Sequence, residues 1–151
     1  MRSRIELRNH SADGVSLREF ASKFCQQQQL PGEERARLLV ILDELFTNVT
    51  AHGYDSAAEG HIEVSLSLAG DRLIIEFVDD GSPFDPLASA AADLDLPIED
   101  RPIGGLGIAI VRALVDEIGY AWDCNRNCLT LGRHIARLGD PASDATASSP
   151  S

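Results

Sequence analysis

Three glycines within four residues, Gly104, Gly105 and Gly107, open an apolar helical pattern. A helix start of this kind offers bare backbone N–H groups and the positive end of a helix dipole to an anion. At Asp79-Asp80-Gly81 a carboxylate leaves a buried strand just before a glycine, where it can accept hydrogen bonds from the amino group of a planar ligand. Taken alone, Asp-Gly is also common turn punctuation. Glu44 and Asn48, one helical turn apart on a line with Ile41 and His52, flank the apolar stripe Leu38, Leu42, Leu45 and Val49. Burying that pair without partners would cost roughly 1–3 kcal/mol for the amide and more for the charge. On helix spacing alone the pair also fits the partly exposed boundary of a core face.

Any phosphate chemistry here must work almost without lysine, because twelve of the thirteen basic residues are arginine and Lys23 is the only lysine. A Walker A loop and a eukaryotic-type protein kinase both need a lysine in a defined context that Lys23 lacks. Gly105 and Gly107 resemble the start of a dinucleotide fingerprint, but Ile110 stands at its last glycine position. Cys124, Cys128 and His134 are loosely spaced and lack a fourth zinc ligand, so the three cysteines, Cys25 included, are expected as free thiols. The net charge of −11 and pI near 4.6 argue against nucleic acid and anionic membranes as partners. The apolar runs Leu38–Leu42 and Leu106–Val111 are too short to span a bilayer, and residues 1–30 show no secretory signal. A cytoplasmic location is expected.

The elements that must hold these groups follow from periodicity. Arg4 to Leu7 forms a short strand, and a capping box at Ser16 and Glu19 starts a helix with Leu17, Phe20, Ala21 and Phe24 on one face, ended by Pro31 and Gly32. Glu33 and Glu34 suit the positive end of a second helix running to about Ala51. Ile62 to Leu68 and Leu73 to Val78 form a hairpin around Gly70-Asp71. Residues 82–103, with four prolines and several acids, form a long functional loop. A third helix runs from the glycines through Ile108, Val111, Val115 and Ile118 to Gly119. Tyr120 to Cys124 and Cys128 to Ile135 are strands joined through Asn125, Arg126 and Asn127. The fold class is α+β, a two-layer sandwich with a mixed, mostly antiparallel sheet and helices on one face. One domain covers 1–138, and 139–151, without Val, Ile, Leu, Phe or Met, is a disordered tail.

Taken in this order the motifs resemble the GHKL (Bergerat) ATP-binding superfamily of histidine kinases, gyrase-type ATPases and Hsp90-type chaperones. Glu44 to Asn48 with Ala51-His52-Gly53-Tyr54 resembles the N-box, Asp79 to Pro86 the G1 box, and Gly104-Gly105-Leu106-Gly107-Ile108 the G2 box. The Asn-His-Gly-Tyr form of the N-box and the small size resemble the bacterial anti-sigma-factor serine/threonine kinases of the RsbW and SpoIIAB type, over residues 5 to 137.

The resemblance implies ATP and Mg²⁺ as ligands. It makes Glu44 the general base for a substrate serine and Asn48 a Mg²⁺ ligand, with Asp79 on the adenine amino group and Gly81 allowing close approach. Gly104, Gly105, Leu106 and Gly107 cradle the phosphates. Residues 82–103 become the ATP lid, in which Arg101, the only basic residue, either steadies the γ-phosphate or is a solvated loop arginine. Thr130 is a candidate adenine contact, although its strand departs from the family's Gly-Thr pattern. Magnesium and helix-start amides would then supply the positive field a P-loop takes from lysine. The implied function is an ATP-dependent serine kinase and anti-sigma-type regulator in a partner-switching system. It phosphorylates a STAS-domain anti-anti-sigma antagonist, sequesters a sigma factor or other target, and forms a homodimer. The alternative is a nucleotide-gated partner-binding module with little or no kinase activity, which needs the same nucleotide site. A histidine-kinase fragment is disfavoured because His10 lies in no helical hairpin, and a gyrase-type ATPase because no transducer domain follows. The motifs leave open which target is bound and what phosphatase or signal opposes the kinase.

Overall fold

The computed structural model describes residues 2–54, 59–88 and 105–135. Its elements are β1 (Arg2–Arg8), α1 (Ser11–Gln27), α2 (Gly32–His52), β2 (His61–Ala69), β3 (Arg72–Asp79), α3 (Gly105–Leu114), β4 (Glu117–Asp123) and β5 (Arg126–His134). The strands form one sheet in the order β1-β2-β3-β5-β4. Every pairing is antiparallel, so the mixed sheet expected from sequence narrows to a wholly antiparallel one. The expected tail at 139–151 and most of the expected loop at 82–103 lie outside the described residues.

Alternation along the strands puts the core on one face. Ile62, Val64 and Leu66 of β2, Leu73, Ile75 and Phe77 of β3, and Leu129 and Leu131 of β5 are buried. They join one apolar cluster with Leu17 and Phe24 of α1, Leu38, Ile41, Leu42 and Leu45 of α2, and Ile108 and Val111 of α3. The other face carries ion pairs instead, including Arg2 with Glu76 at 3.2 Å, Arg4 with Glu63 at 3.3 Å, and Arg72 with Glu117. Solvent-exposed pairs of this kind each stabilise by about 0–1 kcal/mol.

Local chemistry moves several expected boundaries. Helix α1 begins five residues before Ser16, because the Asp13 carboxylate accepts the His10 backbone N–H at 3.2 Å and closes an earlier first turn. It ends before Pro31: Leu30 N–H reaches Cys25 O at 2.9 Å while Gln29 takes φ 57°, a left-handed stop usually given to glycine. Helix α3 stops at Leu114 rather than Gly119. Asp116 donates its N–H to Gly132 O at 2.8 Å and accepts the His134 N–H through Oδ2 at 2.6 Å, which turns the chain into β4. Ile118 then sits opposite Leu131 in the sheet and still packs on the core, so an apolar spacing that reads as helical is satisfied from a strand. The last hairpin turns through Cys124 and Asn125, at φ 52° and 60°, a two-residue loop with both central residues left-handed. Asn127 therefore belongs to β5, not to a connecting loop.

The acid pair at the start of α2 also divides. Glu33 stays in solvent, whereas Glu34 is 2% exposed. Arg133 of β5 clamps its carboxylate with Nε to Oε2 at 2.8 Å and Nη2 to Oε1 at 3.0 Å, and Arg37 adds a contact at 3.0 Å. Arg133 also donates to Leu114 O at 2.5 Å, so one guanidinium joins the start of α2, the end of α3 and β5. This hydrogen bonding with Glu34 raises the Arg133 pKa.

Candidate functional site

Helix α2 carries Glu44 and Asn48 past the end of the core, both half-buried. Neither makes a hydrogen bond or ion pair among the described residues, whereas neighbouring Asp43 meets Arg18 at 3.4 Å. A half-buried carboxylate and carboxamide left unpaired one turn apart suit incoming partners better than packing. Residues Gly105, Leu106 and Gly107 form the first turn of α3, and Gly107 meets Glu44. A Cβ on Gly107 would stand 2.2 Å from Glu44 Oε2, so any side chain there would displace the Glu44 carboxylate. Gly104 and Arg101 lie outside the described residues.

Asp79 ends β3 at 4% exposure. Its Oδ1 accepts the Gly81 N–H at 3.0 Å and the Asn127 Nδ2 at 2.9 Å, while Oδ2 has no partner among the described residues. Burial pushes the Asp79 pKa up against the lowering effect of those two hydrogen bonds. Gly81 is needed for contact with the end of α2, because a Cβ there would lie 2.4 Å from Gly53 O, and Ser82 N–H donates to the same carbonyl at 2.8 Å. Asp80 points the other way and accepts the Tyr54 hydroxyl at 2.7 Å and the His61 N–H at 2.9 Å. Burial raises the Asp80 pKa, but these two donors outweigh it and hold the group below the usual range. The Tyr54 segment is thereby tied to the sheet end that carries Asp79.

The residue that sequence reasoning missed is Asn127. It pairs with Asp79 across β3 and β5 and is 6% exposed. Its Nδ2 also donates to Ser82 O at 2.9 Å, and its Oδ1 accepts the Phe84 N–H at 3.0 Å and the Tyr120 hydroxyl at 2.5 Å. The signal was present: Asn127 is in phase with Leu129 and Leu131, a polar residue on the core-facing side of an alternating strand. Thr130, the expected adenine contact, is corrected by the same alternation. It is exposed on the opposite face, across from Glu76, and does not reach the Asp79 cluster. Asn48, Gly53, Asp79, Phe84, Pro86, Tyr120 and Asn127 are among the residues that bound a narrow cavity of about 30 Å³.

A buried acceptor at the end of the central strand β3, an uncommitted carboxamide and carboxylate on α2 and a glycine start on α3 suit a nucleotide-binding domain of the histidine kinase-like type. The model of the histidine kinase-like ATPase domain family matches residues 9–133, and the chain belongs to that family, whose members bind ATP. Among its relatives, the serine/threonine-protein kinase BtrW of Bordetella bronchiseptica is 24% identical over 102 residues, covering 68% of this chain and 72% of BtrW. The serine-protein kinase RsbW of Bacillus cereus is 34% identical over 88 residues, covering 56% and 54%. An anti-sigma F factor of Thermoanaerobacter is 25% identical over 101 residues, covering 67% and 70%. The chain thus spans about half the length of the RsbW relatives it matches. The crystal structure of the RsbU and RsbW domains of Rv1364c from Mycobacterium tuberculosis shares the fold, with a TM-score of 0.66 and 19% identity over 91% of this chain and 33% of that one. The relatives just named are thus anti-sigma factors and serine kinases. No described helix is long and apolar enough to cross a membrane.

Proposed function

We propose that the chain is an ATP-dependent serine/threonine protein kinase and anti-sigma-type regulator, phosphorylating a STAS-domain antagonist within a partner-switching system. The observation that carries this reading is Glu44: a half-buried, unpaired carboxylate held against the glycine start of α3, where phosphates are expected. Asp79 Oδ2 accepts the adenine amino group, and Gly104, Gly105, Leu106 and Gly107 present backbone N–H groups to the phosphates. Glu44 takes the proton of the attacking serine hydroxyl as its oxygen bonds to the γ-phosphorus and the bond to the β-phosphate oxygen breaks, leaving phosphoserine and ADP.

Asn48 fits Mg²⁺, since its carboxamide is uncommitted beside the base pocket and offers the neutral oxygen a hard cation takes. Bound there, the ion neutralises charge on the phosphates. Arg101 is kept as a further phosphate contact. A sigma factor or similar target, a homodimer and a cytoplasmic setting complete the reading; β1, at the open edge of the sheet, supports self-association. Incubation with Mg-ATP and the cognate STAS protein is expected to yield phosphoserine, and Glu44→Ala to abolish transfer while sparing ATP binding. Undiminished transfer in that variant sinks the mechanism, and ATP binding without transfer by the native chain favours the binding-module alternative.

A further inference from the structure

The geometry points to Asn127 as the positioning residue that makes Asp79 read the base, an inference resting on the nucleotide-binding function proposed above. All four hydrogen-bonding capacities of its carboxamide are used: two N–H groups on Asp79 Oδ1 and Ser82 O, two oxygen lone pairs on Phe84 N–H and Tyr120 O–H. With Gly81 N–H also on Oδ1, one carboxylate oxygen of Asp79 is saturated and the plane of the group is set. What remains is Oδ2, the oxygen of this buried, cavity-lining carboxylate that has no partner among the described residues. Asn127 offers the base nothing itself; it decides which oxygen Asp79 shows.

The residue type follows from the four partners. A serine or threonine hydroxyl has one proton and would release either Asp79 or Ser82. An aspartate would place a second carboxylate about 2.9 Å from Asp79, so the two could not both ionise. A carboxamide alone donates twice and accepts twice without charge. Because the effect passes through Asp79 Oδ2, it acts on the six-position of a purine, where adenine carries an amino donor and hypoxanthine a carbonyl acceptor. The phosphate end, on α2 and α3, is untouched by it.

Magnesium-supported binding of ADP and IDP to the full chain, measured by calorimetry for the native protein, Asn127→Leu and Asn127→Asp, tests this. The native chain is expected to favour ADP. Asn127→Leu is expected to weaken ADP about tenfold, the worth of one buried hydrogen bond to a charged group, and to leave IDP within about twofold. Asn127→Asp keeps the shape, and its ADP:IDP ratio is expected to fall as pH rises from about 5.5 to about 8, as the pair of carboxylates loses its shared proton. Circular dichroism identifies folded variants, and if Asn127→Leu does not fold the pH series on Asn127→Asp decides. A native ADP:IDP ratio in a folded variant, or in Asn127→Asp at every pH, overturns the role of Asn127 alone. Failure of the native chain to bind ADP overturns the nucleotide reading and this inference with it.

Discussion

The backbone of Gly107, in the first turn of α3, lies against the carboxylate of Glu44 on α2 so closely that a Cβ would stand 2.2 Å from Oε2 and 3.2 Å from Cδ. Residues 63 positions apart in sequence thus meet with no Cβ between the α3 backbone and the Glu44 carboxylate. Gly107→Ala is expected to push the Glu44 carboxylate aside by about an ångström and to lower phosphotransfer about 100-fold, with ADP affinity reduced far less. Rates at saturating Mg-ATP, set beside ADP titrations, check it; unchanged transfer would show that the Glu44 position is immaterial.

Asp79 trades stability for binding. Its pKa is raised by burial, so as pH rises the unfolded chain gives up this proton before the folded one does. The unfolded state then binds fewer protons, and this group's contribution to stability falls with rising pH. Asp79→Asn keeps an oxygen for the Gly81 and Asn127 donors and removes the buried charge. The variant is expected to gain Tm over the native chain at neutral pH, with the gain vanishing below the ordinary aspartate range, and to lose ADP binding. Melting curves from about pH 3 to about pH 8 decide it.

Glu34 and Arg133 form a buried, doubly hydrogen-bonded pair. Arg133→Met removes the two-point clamp on the buried Glu34 carboxylate, leaving the Arg37 contact in place, and is expected to cost about 3–5 kcal/mol. Arg133→Lys should recover part of this, because one ammonium cannot reproduce the two-point clamp and the contact to Leu114 O. Replacing both partners, Glu34→Met with Arg133→Leu, is expected to stand closer to the native chain than Arg133→Met alone. Urea unfolding of the four proteins checks the order.

Two turns are occupied by residues poorly suited to them. Gln29 at φ 57° and Cys124 at φ 52° adopt left-handed conformations. Gln29→Gly and Cys124→Asn are each expected to stabilise by up to about 1 kcal/mol. Thermal melts that show a loss at either site would mean the native side chain contributes more than its backbone costs.

The parts legible in the sequence were those governed by neighbours along the chain. The stripe Leu38, Leu42, Leu45 and Val49 defined α2, the alternation at 62–68 and the Gly70-Asp71 turn defined the β2–β3 hairpin, and motif order indicated a nucleotide domain. The misreadings share one cause. Val115 and Ile118 keep a helical spacing, yet Ile118 meets the core from β4, because Asp116 is held by Gly132 and His134 of β5. Glu34 does stand in the first turn of α2 as its type suggests, but its burial against Arg133, 99 residues on, is set by the packing of β5.

By itself, then, the sequence determined the element types, the amphipathic faces and the three motifs, since helical and strand periods and glycine conformations are properties of short segments. Only the tertiary structure decided which of the polar residues share a site. Strand register sets Asn127 opposite Asp79 and turns Thr130 to the far face, and helix packing sets Gly107 on Glu44. A register shift of one residue would exchange the two faces of β5, and periodicity within one strand carries no information about its alignment with the next.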